Sequence, residues 1–188
     1  MKFQRDILID KIYEMALKDK DIYFISADFG APSLDRLRDD LPEQFIHAGI
    51  SEQNMIDVAA GLALSGKKVY VYAMGPFITL RCLEQLKCSL AQMNLPVTVI
   101  SVGLGLGYAD AGPTHYITED LACLRSIVNF EVFFDNVDNK LEIYIKHPKY
   151  DPRPLSMGSG AEKTIASMAI RLALISITNL PKSELFIL

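Results

Sequence analysis

This 188-residue chain is poor in the side chains that bind metals or form disulfides. It has three histidines and three cysteines, Cys82, Cys88 and Cys123, with no CxxC pair and no spacing typical of a zinc site. We therefore predict that the chain itself binds no metal. Sparse thiols of odd number, in a chain without a signal-peptide pattern, are typical of a reducing compartment, so a cytoplasmic location is expected.

Positive charge is also scarce. Lys and Arg number 19 against 23 for Asp and Glu, which gives a net charge of −4. Such a chain has no basic field to hold a nucleic-acid backbone or an anionic membrane, so neither is expected as a partner. The longest apolar stretch late in the chain, residues 164–180, is broken by Arg171 and is short for a membrane span.

Patterns of strand and helix alternate along most of the chain. This alternation is typical of a three-layer α/β/α fold with a mostly parallel sheet. We predict strands over residues 22–26, 45–48, 68–73, 97–102 and 130–134, and helices over residues 4–18, 55–64, 75–90 and 119–125. The hydroxyl of Ser51 is predicted to cap the second helix, and Gly66 is predicted to end it.

The pattern weakens beyond residue 135. Residues 146–160 contain three prolines and two glycines, a composition typical of an extended linker, and residues 161–177 again have helical spacing. We therefore predict one domain over residues 1–150, followed over residues 151–188 by a linker and an irregular or remodelled helical tail.

A glycine-rich run follows the strand of residues 97–102. Gly103, Gly105 and Gly107 invite a dinucleotide-binding interpretation, but their spacing is GxGxG, and Gly112 with Pro113 delays any helix by about ten residues. A doubly wound nucleotide-binding domain is therefore the weaker hypothesis. The run is interpreted as a mobile loop at the carboxyl end of a strand, where open α/β sheets often hold ligands.

The segment GISEQNM, residues 49–55, places the acid Glu52 at the start of a helix. In one interpretation Glu52 only complements the positive helix end. In the other, a partly desolvated carboxyl group there donates or accepts a proton during catalysis. Spacing alone leaves both open, and the first is the more common.

The run FIHAGISEQNM at residues 45–55, followed by AAGLA at residues 59–63, resembles the pyrimidine-binding domain of transketolases and 1-deoxyxylulose-5-phosphate synthases. The resemblance continues through Phe77, Arg81 and Glu84-Gln85, then through GPTH at residues 112–115, and covers roughly residues 3–134. It implies the thiamine-diphosphate-binding fold and a transferase that moves a two-carbon ketol unit between sugars or sugar phosphates.

The resemblance also implies roles for particular residues. Glu52 would hydrogen-bond N1′ of the cofactor's aminopyrimidine and favour the imino tautomer, whose exocyclic nitrogen removes the thiazolium C2 proton. Phe77 would stack on the pyrimidine ring, and His115 would face the cofactor and the substrate oxygens. Asp28, for which a simple turn or cap role is equally open, and Ile50 are expected beside the cofactor.

Some positions depart from the family. Leu83 stands where many relatives carry a second pyrimidine-facing aromatic, and Val128 replaces a usual proline. Ala111 stands where transketolases of central metabolism commonly have an Asp that senses the C2 hydroxyl, so sedoheptulose-type specificity is not expected. The last strand of the family is not recognisable near residues 150–155.

The chain has no GDG motif followed about thirty residues later by Asn, the pattern that supplies metal ligands in the family. The resemblance therefore implies a partner subunit that binds the diphosphate and Mg²⁺, in a homodimer or heterotetramer with the active site between chains. The alternative is a truncated, catalytically inactive transketolase-like module that binds or scaffolds another protein.

Overall fold

In the computed structural model the chain divides into two units, Met1–Phe134 and Asp135–Leu188. The structure describes residues 3–27 and 31–132, and the backbone of residues 144–147 and 150–154. Asp28 and the tail predicted to be helical lie outside the described residues. The predicted domain boundary after residue 150 stays a prediction.

Short apolar runs build a four-stranded sheet in the first unit. Its strands are β1 (Ile22–Ser26), β2 (Phe45–His47), β3 (Lys68–Met74) and β4 (Val97–Val102). They lie in the order β2-β1-β3-β4, and every neighbouring pair is parallel. Parallel strands covered on both faces read as continuous apolar runs, which is why the sequence predicted these four strands nearly to the residue.

One face of the sheet is covered by α1 (Gln4–Ala16) and α2 (Asp35–Asp40). Ile9 and Ile12 of α1 are almost completely buried against a cluster that includes Phe24 and Tyr72 of the sheet. Alternate residues of each strand point to opposite faces, so this cluster takes every second strand residue.

The other face is covered by α3 (Glu52–Leu64), α4 (Gly75–Ile78), α5 (Leu83–Gln85) and a π-helical segment, Leu86–Ala91. Met55 and Ile56 of α3 are fully buried against Ile25 and Val71, which belong to the opposite set of strand residues. The two clusters on either side of a parallel sheet confirm the predicted three-layer α/β/α architecture.

The prediction of one continuous helix over residues 75–90 is wrong. The chain leaves the helix at Thr79, where φ is −103° and ψ is −81°, and the Thr79 hydroxyl donates to the Gly75 carbonyl at 2.7 Å. Such side-chain bonds compete with the regular helical ladder. The segment from Leu86 is wound more loosely, since the N–H of Gln92 donates to the carbonyl of Lys87, five residues back, at 2.9 Å.

Further predictions about a helix cap and about the limits of elements need correction. Ser51 makes no side-chain cap to α3, because its hydroxyl donates to the Ala48 carbonyl at 2.6 Å, and α3 begins at Glu52 instead of Met55. The described part of the predicted strand over residues 130–134, Phe130 to Val132, is not a strand. The helix predicted over residues 119–125, α6, is shorter than predicted and spans Asp120–Leu124. The predicted end of α3 is confirmed, since Gly66 follows it with φ +83°.

The second unit contains an antiparallel pair, β5 (Tyr144–His147) and β6 (Tyr150–Pro154). The register joins Tyr144 to Pro154 and His147 to Tyr150, with an irregularity between them. The prediction of an extended linker over residues 146–160 is therefore wrong for the parts of that range that form these two strands. Its prolines misled the prediction, because proline is tolerated where a strand has a free edge. Within the described ranges, no helix is long and apolar enough to cross a membrane.

Candidate active site

The candidate site residues come from three segments of the first unit. Glu52 starts α3, Phe77 lies in α4 directly after β3, and His115 lies in the loop after β4. Both β3 and β4 run in the same direction, so the segments that follow them emerge at the same edge of the sheet. In open parallel sheets this carboxyl edge is where ligands bind.

Glu52 is an almost buried acid, with 4% of its surface exposed. Its Oε2 accepts a hydrogen bond from Nη1 of Arg81 at 3.1 Å, within an ion pair. A charged carboxylate is costly to bury unless it is paired, and the helix N-terminus also favours negative charge. Arg81 and the start of α3 together explain why an acid is tolerated here.

Arg81 makes a second contact, with the ring of Phe77. The guanidinium carbon lies 4.1 Å from the ring centroid, a distance typical of a cation–π contact. Arg81 lies between α4 and α5 and keeps 43% of its side chain exposed. It therefore joins the carboxylate and the aromatic ring, although sequence analysis gave it no role beyond its place in the motif. The signal available was its position four residues after Phe77.

Phe77 in turn contacts His115. The ring centroids are 5.3 Å apart and the planes are inclined by 76°, an edge-to-face arrangement. Nδ1 of His115 also lies 2.8 Å from the hydroxyl oxygen of Thr114. The structure thus brings Glu52, Phe77 and His115 together through Arg81, in one continuous chain of contacts.

The loop that carries His115 is closed by backbone bonds. The N–H of Ile117 donates to the carbonyl of Gly105 at 2.9 Å, and the N–H of His115 donates to the carbonyl of Gly112 at 3.0 Å. The loop packs on Gly75, where a Cβ atom would lie only 2.8 Å from Cγ2 of Ile117. Glycine at the start of α4 therefore lets the His115 loop approach the helix that carries Phe77.

Cys82 makes a hydrogen bond to the backbone of α4 at Phe77. It is completely buried, and its thiol donates to the carbonyl of Phe77 at 3.1 Å. Burial raises the pKa of the thiol to about 12, and the negative charge of nearby Glu52 adds to the effect. Cys82 is thus a neutral thiol that anchors the backbone of Phe77.

The remaining predicted positions behave differently. Ile50 is 81% exposed, so nothing within the described residues packs over it. Leu83 is half-buried and packs against the α3-side core, Ala111 lies in a short 3₁₀ turn, and Val128 is largely exposed. Among the described residues, no group of three His, Cys, Asp or Glu side chains is arranged to hold a metal ion.

Comparison with known proteins identifies the class. Residues 4–141 match the family model of the transketolase pyrimidine-binding domain. This match covers well over half of the chain, and the chain belongs to that family, whose enzymes depend on thiamine diphosphate. The fold and the family expected from the GISEQNM motif are both confirmed.

Individual relatives include subunits of split enzymes. The chain is 37% identical over 129 residues to an apulose-4-phosphate transketolase subunit of Phocaeicola vulgatus, covering 68% of this chain and 41% of the relative. It is 38% identical over 128 residues to the 1-deoxy-D-xylulose-5-phosphate synthase of Fusobacterium nucleatum, covering 68% of this chain and 21% of that enzyme.

A solved structure described as a split gene transketolase, inactive beta4 tetramer, is similar with a TM-score of 0.56 and 27% identity. The alignment covers 66% of this chain and 40% of that chain. The chain therefore spans about two fifths of the length of the split relatives that it matches.

Proposed function

We propose that this chain is the pyrimidine-binding subunit of a two-chain, thiamine-diphosphate-dependent transketolase. The assembled enzyme transfers a two-carbon ketol unit between sugars or sugar phosphates. One observation carries the proposal: Arg81 contacts both the nearly buried carboxylate of Glu52 and the ring of Phe77, so these two groups lie close together.

These residues fit an aminopyrimidine. The ring nitrogen N1′ needs a carboxyl group that can exchange a proton with it, and the flat ring needs an aromatic surface. Glu52 and Phe77 offer these two groups, and a guanidinium contacts both. Glu52 is almost buried, so a hydrogen bond made there is strengthened by the low local dielectric.

When bound, thiamine diphosphate supplies the thiazolium carbon acid that cleaves and forms the bond next to the ketose carbonyl. Glu52 holds and moves the proton at N1′, so it sets the tautomer of the aminopyrimidine. Phe77 fixes the ring by stacking. The imidazole of His115, oriented against the edge of Phe77, hydrogen-bonds the substrate oxygens on which charge develops.

A partner chain completes this enzyme. The relative from Phocaeicola vulgatus is a transketolase subunit, and the solved relative is a split gene transketolase, which supports a second subunit that holds the diphosphate and Mg²⁺. We propose a heterotetramer, with two copies of each chain, in which Glu52, Phe77 and His115 face that subunit. Ile50 lies two residues before Glu52, and Leu106 lies in the loop after β4 that also carries His115; both are exposed apolar side chains that suit a covered surface.

Co-expression with the diphosphate-binding subunit tests the proposal, the candidate being the chain encoded by a neighbouring gene. We expect the two chains to purify together and the pair to bind thiamine diphosphate with Mg²⁺ in a calorimetric titration. The pair should then transfer a ketol unit from a ketose phosphate donor. Failure of the co-purified pair to bind the cofactor would contradict the proposal.

A pair of variants isolates the role of Glu52. In the assembled enzyme, Glu52→Gln should lower kcat by about 10² to 10⁴ because an amide cannot exchange the proton. The control is Asp57→Asn on the same helix, where the carboxylate is exposed and accepts a hydrogen bond from Ser89 at 2.7 Å. That variant should keep full activity.

A different outcome would favour the alternative function. If the wild-type pair bound the cofactor but turned over no ketose, the chain would be better described as an inactive binding module.

A further inference from the structure

Arg81 touches both of the groups assigned to the pyrimidine. Its Nη1 lies 3.1 Å from Oε2 of Glu52, and its guanidinium carbon lies 4.1 Å from the centroid of the Phe77 ring. A guanidinium is flat, carries N–H donors at its edge and stacks on aromatic faces. Those are also the properties with which an aminopyrimidine would engage the same two residues.

We propose that Arg81 is a stand-in for the aminopyrimidine: its guanidinium occupies the carboxylate and the aromatic face while the site is free, and it withdraws when the ring binds. This inference rests on the proposed function and adds a competition that the function itself does not require. Arg81 is accordingly a positioning residue for Glu52, and it lowers the affinity of the site for the cofactor.

Arg81 and the ring would use the same carboxyl oxygen of Glu52. Oε2 accepts a hydrogen bond from Nη1 of Arg81 at 3.1 Å, and the Glu52 side chain is 4% exposed. A ring that hydrogen-bonds this oxygen would take the place of the guanidinium N–H. The arrangement paired with Arg81 and the arrangement that serves the ring are therefore alternatives.

The structure leaves Arg81 room to move. It lies outside the helices, between the end of α4 at Ile78 and the start of α5 at Leu83, and 43% of its side chain is exposed. Its long flexible stem can carry the charged head into solvent, where water hydrates it, and the bound ring then takes its place beside the buried Glu52 carboxyl group. Glu52, at 4% exposed, has no such freedom, so the arginine is the partner that leaves.

The test uses the full 188-residue chain and the pyrimidine half of thiamine, 4-amino-5-hydroxymethyl-2-methylpyrimidine, which needs no diphosphate site. Its dissociation constant is measured by NMR titration for the wild type, Arg81→Ala and Arg81→Lys. The matched control is Arg36→Ala. Arg36 also covers an aromatic ring, that of Tyr13 at 3.9 Å, and pairs with an acid, Asp10, at 3.5 Å, but it lies on the other face of the sheet.

We expect Arg81→Ala to bind the probe about 3- to 10-fold more tightly than the wild type, the scale of one partly exposed ion pair. Arg81→Lys should fall between them, because it keeps the charge and loses the planar fork. Arg36→Ala should bind like the wild type. A merely structural role for Arg81 predicts the opposite sign, a weaker complex, so equal or weaker binding by Arg81→Ala overturns the proposal.

A second measurement needs no folded variant. In the wild type, saturation with the probe should move the Nε–Hε resonance of Arg81 toward that of a solvent-exposed arginine, and an unmoved resonance contradicts the stand-in. If the wild type binds neither this probe alone nor thiamine diphosphate with its partner, the proposed function itself fails. If the wild type binds the probe and the Arg81 resonance does not move, the proposed function still holds and only the proposed competition by Arg81 is rejected.

Discussion

The rings of Phe77 and His115 meet edge to face, with centroids 5.3 Å apart. They come from different segments, α4 and the loop after β4, so this contact fixes the orientation of one relative to the other. An edge-to-face pair contributes about 0.5 to 1.5 kcal/mol beyond the area that it buries. Loss of the aromatic ring should therefore release the histidine.

Substitution of Phe77 by Leu keeps an apolar side chain and removes the ring. We expect the ring-proton resonances of His115 to move toward random-coil positions, and cofactor binding by the assembled enzyme to weaken by about 2- to 10-fold. Phe45→Leu is the control, since Phe45 stacks on Phe24 in the other core cluster. It should lower stability and leave the His115 resonances in place. Unmoved His115 signals in Phe77→Leu would contradict the contact.

Much of this arrangement was predictable from local sequence. β1 and β4 are apolar runs bounded by turn residues, and their bounds were predicted without error because buried parallel strands leave a local signal. For Glu52, the strand before it and the apolar spacing after it predicted a position at a helix start. A catalytic role was implied only by the resemblance of the GISEQNM motif to the family, because spacing alone left two interpretations open.

Other features depend on contacts that no local pattern contains. Arg81 and Glu52 are 29 positions apart, and their ion pair exists only once α4 packs beside α3. The break at Thr79 is similar, since regular leucine spacing predicted a continuous helix and a hydroxyl-to-carbonyl bond ended it. Side-chain bonds to the backbone overrule a periodicity that is otherwise reliable.

Gly75 is expected to tolerate no side chain. In Gly75→Ala the added Cβ would meet Cγ2 of Ile117 at 2.8 Å and the Val102 carbonyl oxygen at 3.3 Å, so unfolding in urea should show a loss of about 1 to 3 kcal/mol. The double variant Gly75→Ala/Ile117→Ala removes the side chain that the added Cβ would meet. Its loss of unfolding free energy should therefore be smaller than the sum of the losses of the two single variants.

Gly61→Ala is the matched control for Gly75. Gly61 lies within α3, and a Cβ there meets nothing within 4 Å. Alanine should therefore stabilise the chain by about 0.5 to 1 kcal/mol, because it restricts the unfolded chain and favours helix. Equal effects of the two alanine substitutions would show that the loop does not pack on Gly75 as described.

The buried thiol of Cys82 should make stability depend on pH in alkaline solution. Its pKa is raised from 9.0 to about 12 in the folded chain, so the folded state keeps a proton that the unfolded state loses. Stability is therefore lost as pH rises above about 9, by roughly 1.4 kcal/mol per pH unit up to the folded pKa.

Cys82→Ser isolates this contribution, since the serine hydroxyl can still donate to the Phe77 carbonyl and does not titrate in this range. Urea unfolding between pH 9 and 11 should show a steeper decline for the wild type than for the variant. Parallel curves would contradict the raised pKa of Cys82.

Alkylation gives a second test of the burial of Cys82. In the native chain at pH 8, iodoacetamide should modify the exposed Cys88 and leave Cys82 unmodified until the chain unfolds.

Gln44 is expected to be an anchor for the connection between α1 and β1. Its side chain is 4% exposed, and Nε2 lies 3.2 Å from the carbonyl oxygen of Ala16 and 2.9 Å from those of Asp19 and Ile22. Gln44→Met would leave these acceptors without their donor, so we expect a loss of about 2 to 3 kcal/mol in urea unfolding at pH 7.

Gln44→Glu sharpens the test through its charge. At pH 7 a carboxylate would face three carbonyl oxygens, so this variant should be less stable than Gln44→Met. Its folded form disfavours the charged acid and raises the pKa of that carboxyl group, so stability should be regained as pH falls from 7 toward about 4, where the neutral acid can donate one hydrogen bond. Gln92→Met, at an exposed position, should stay within about 0.5 kcal/mol of the wild type. If Gln44→Met behaved like Gln92→Met, the three carbonyls would be satisfied by other donors and Gln44 would not be an anchor.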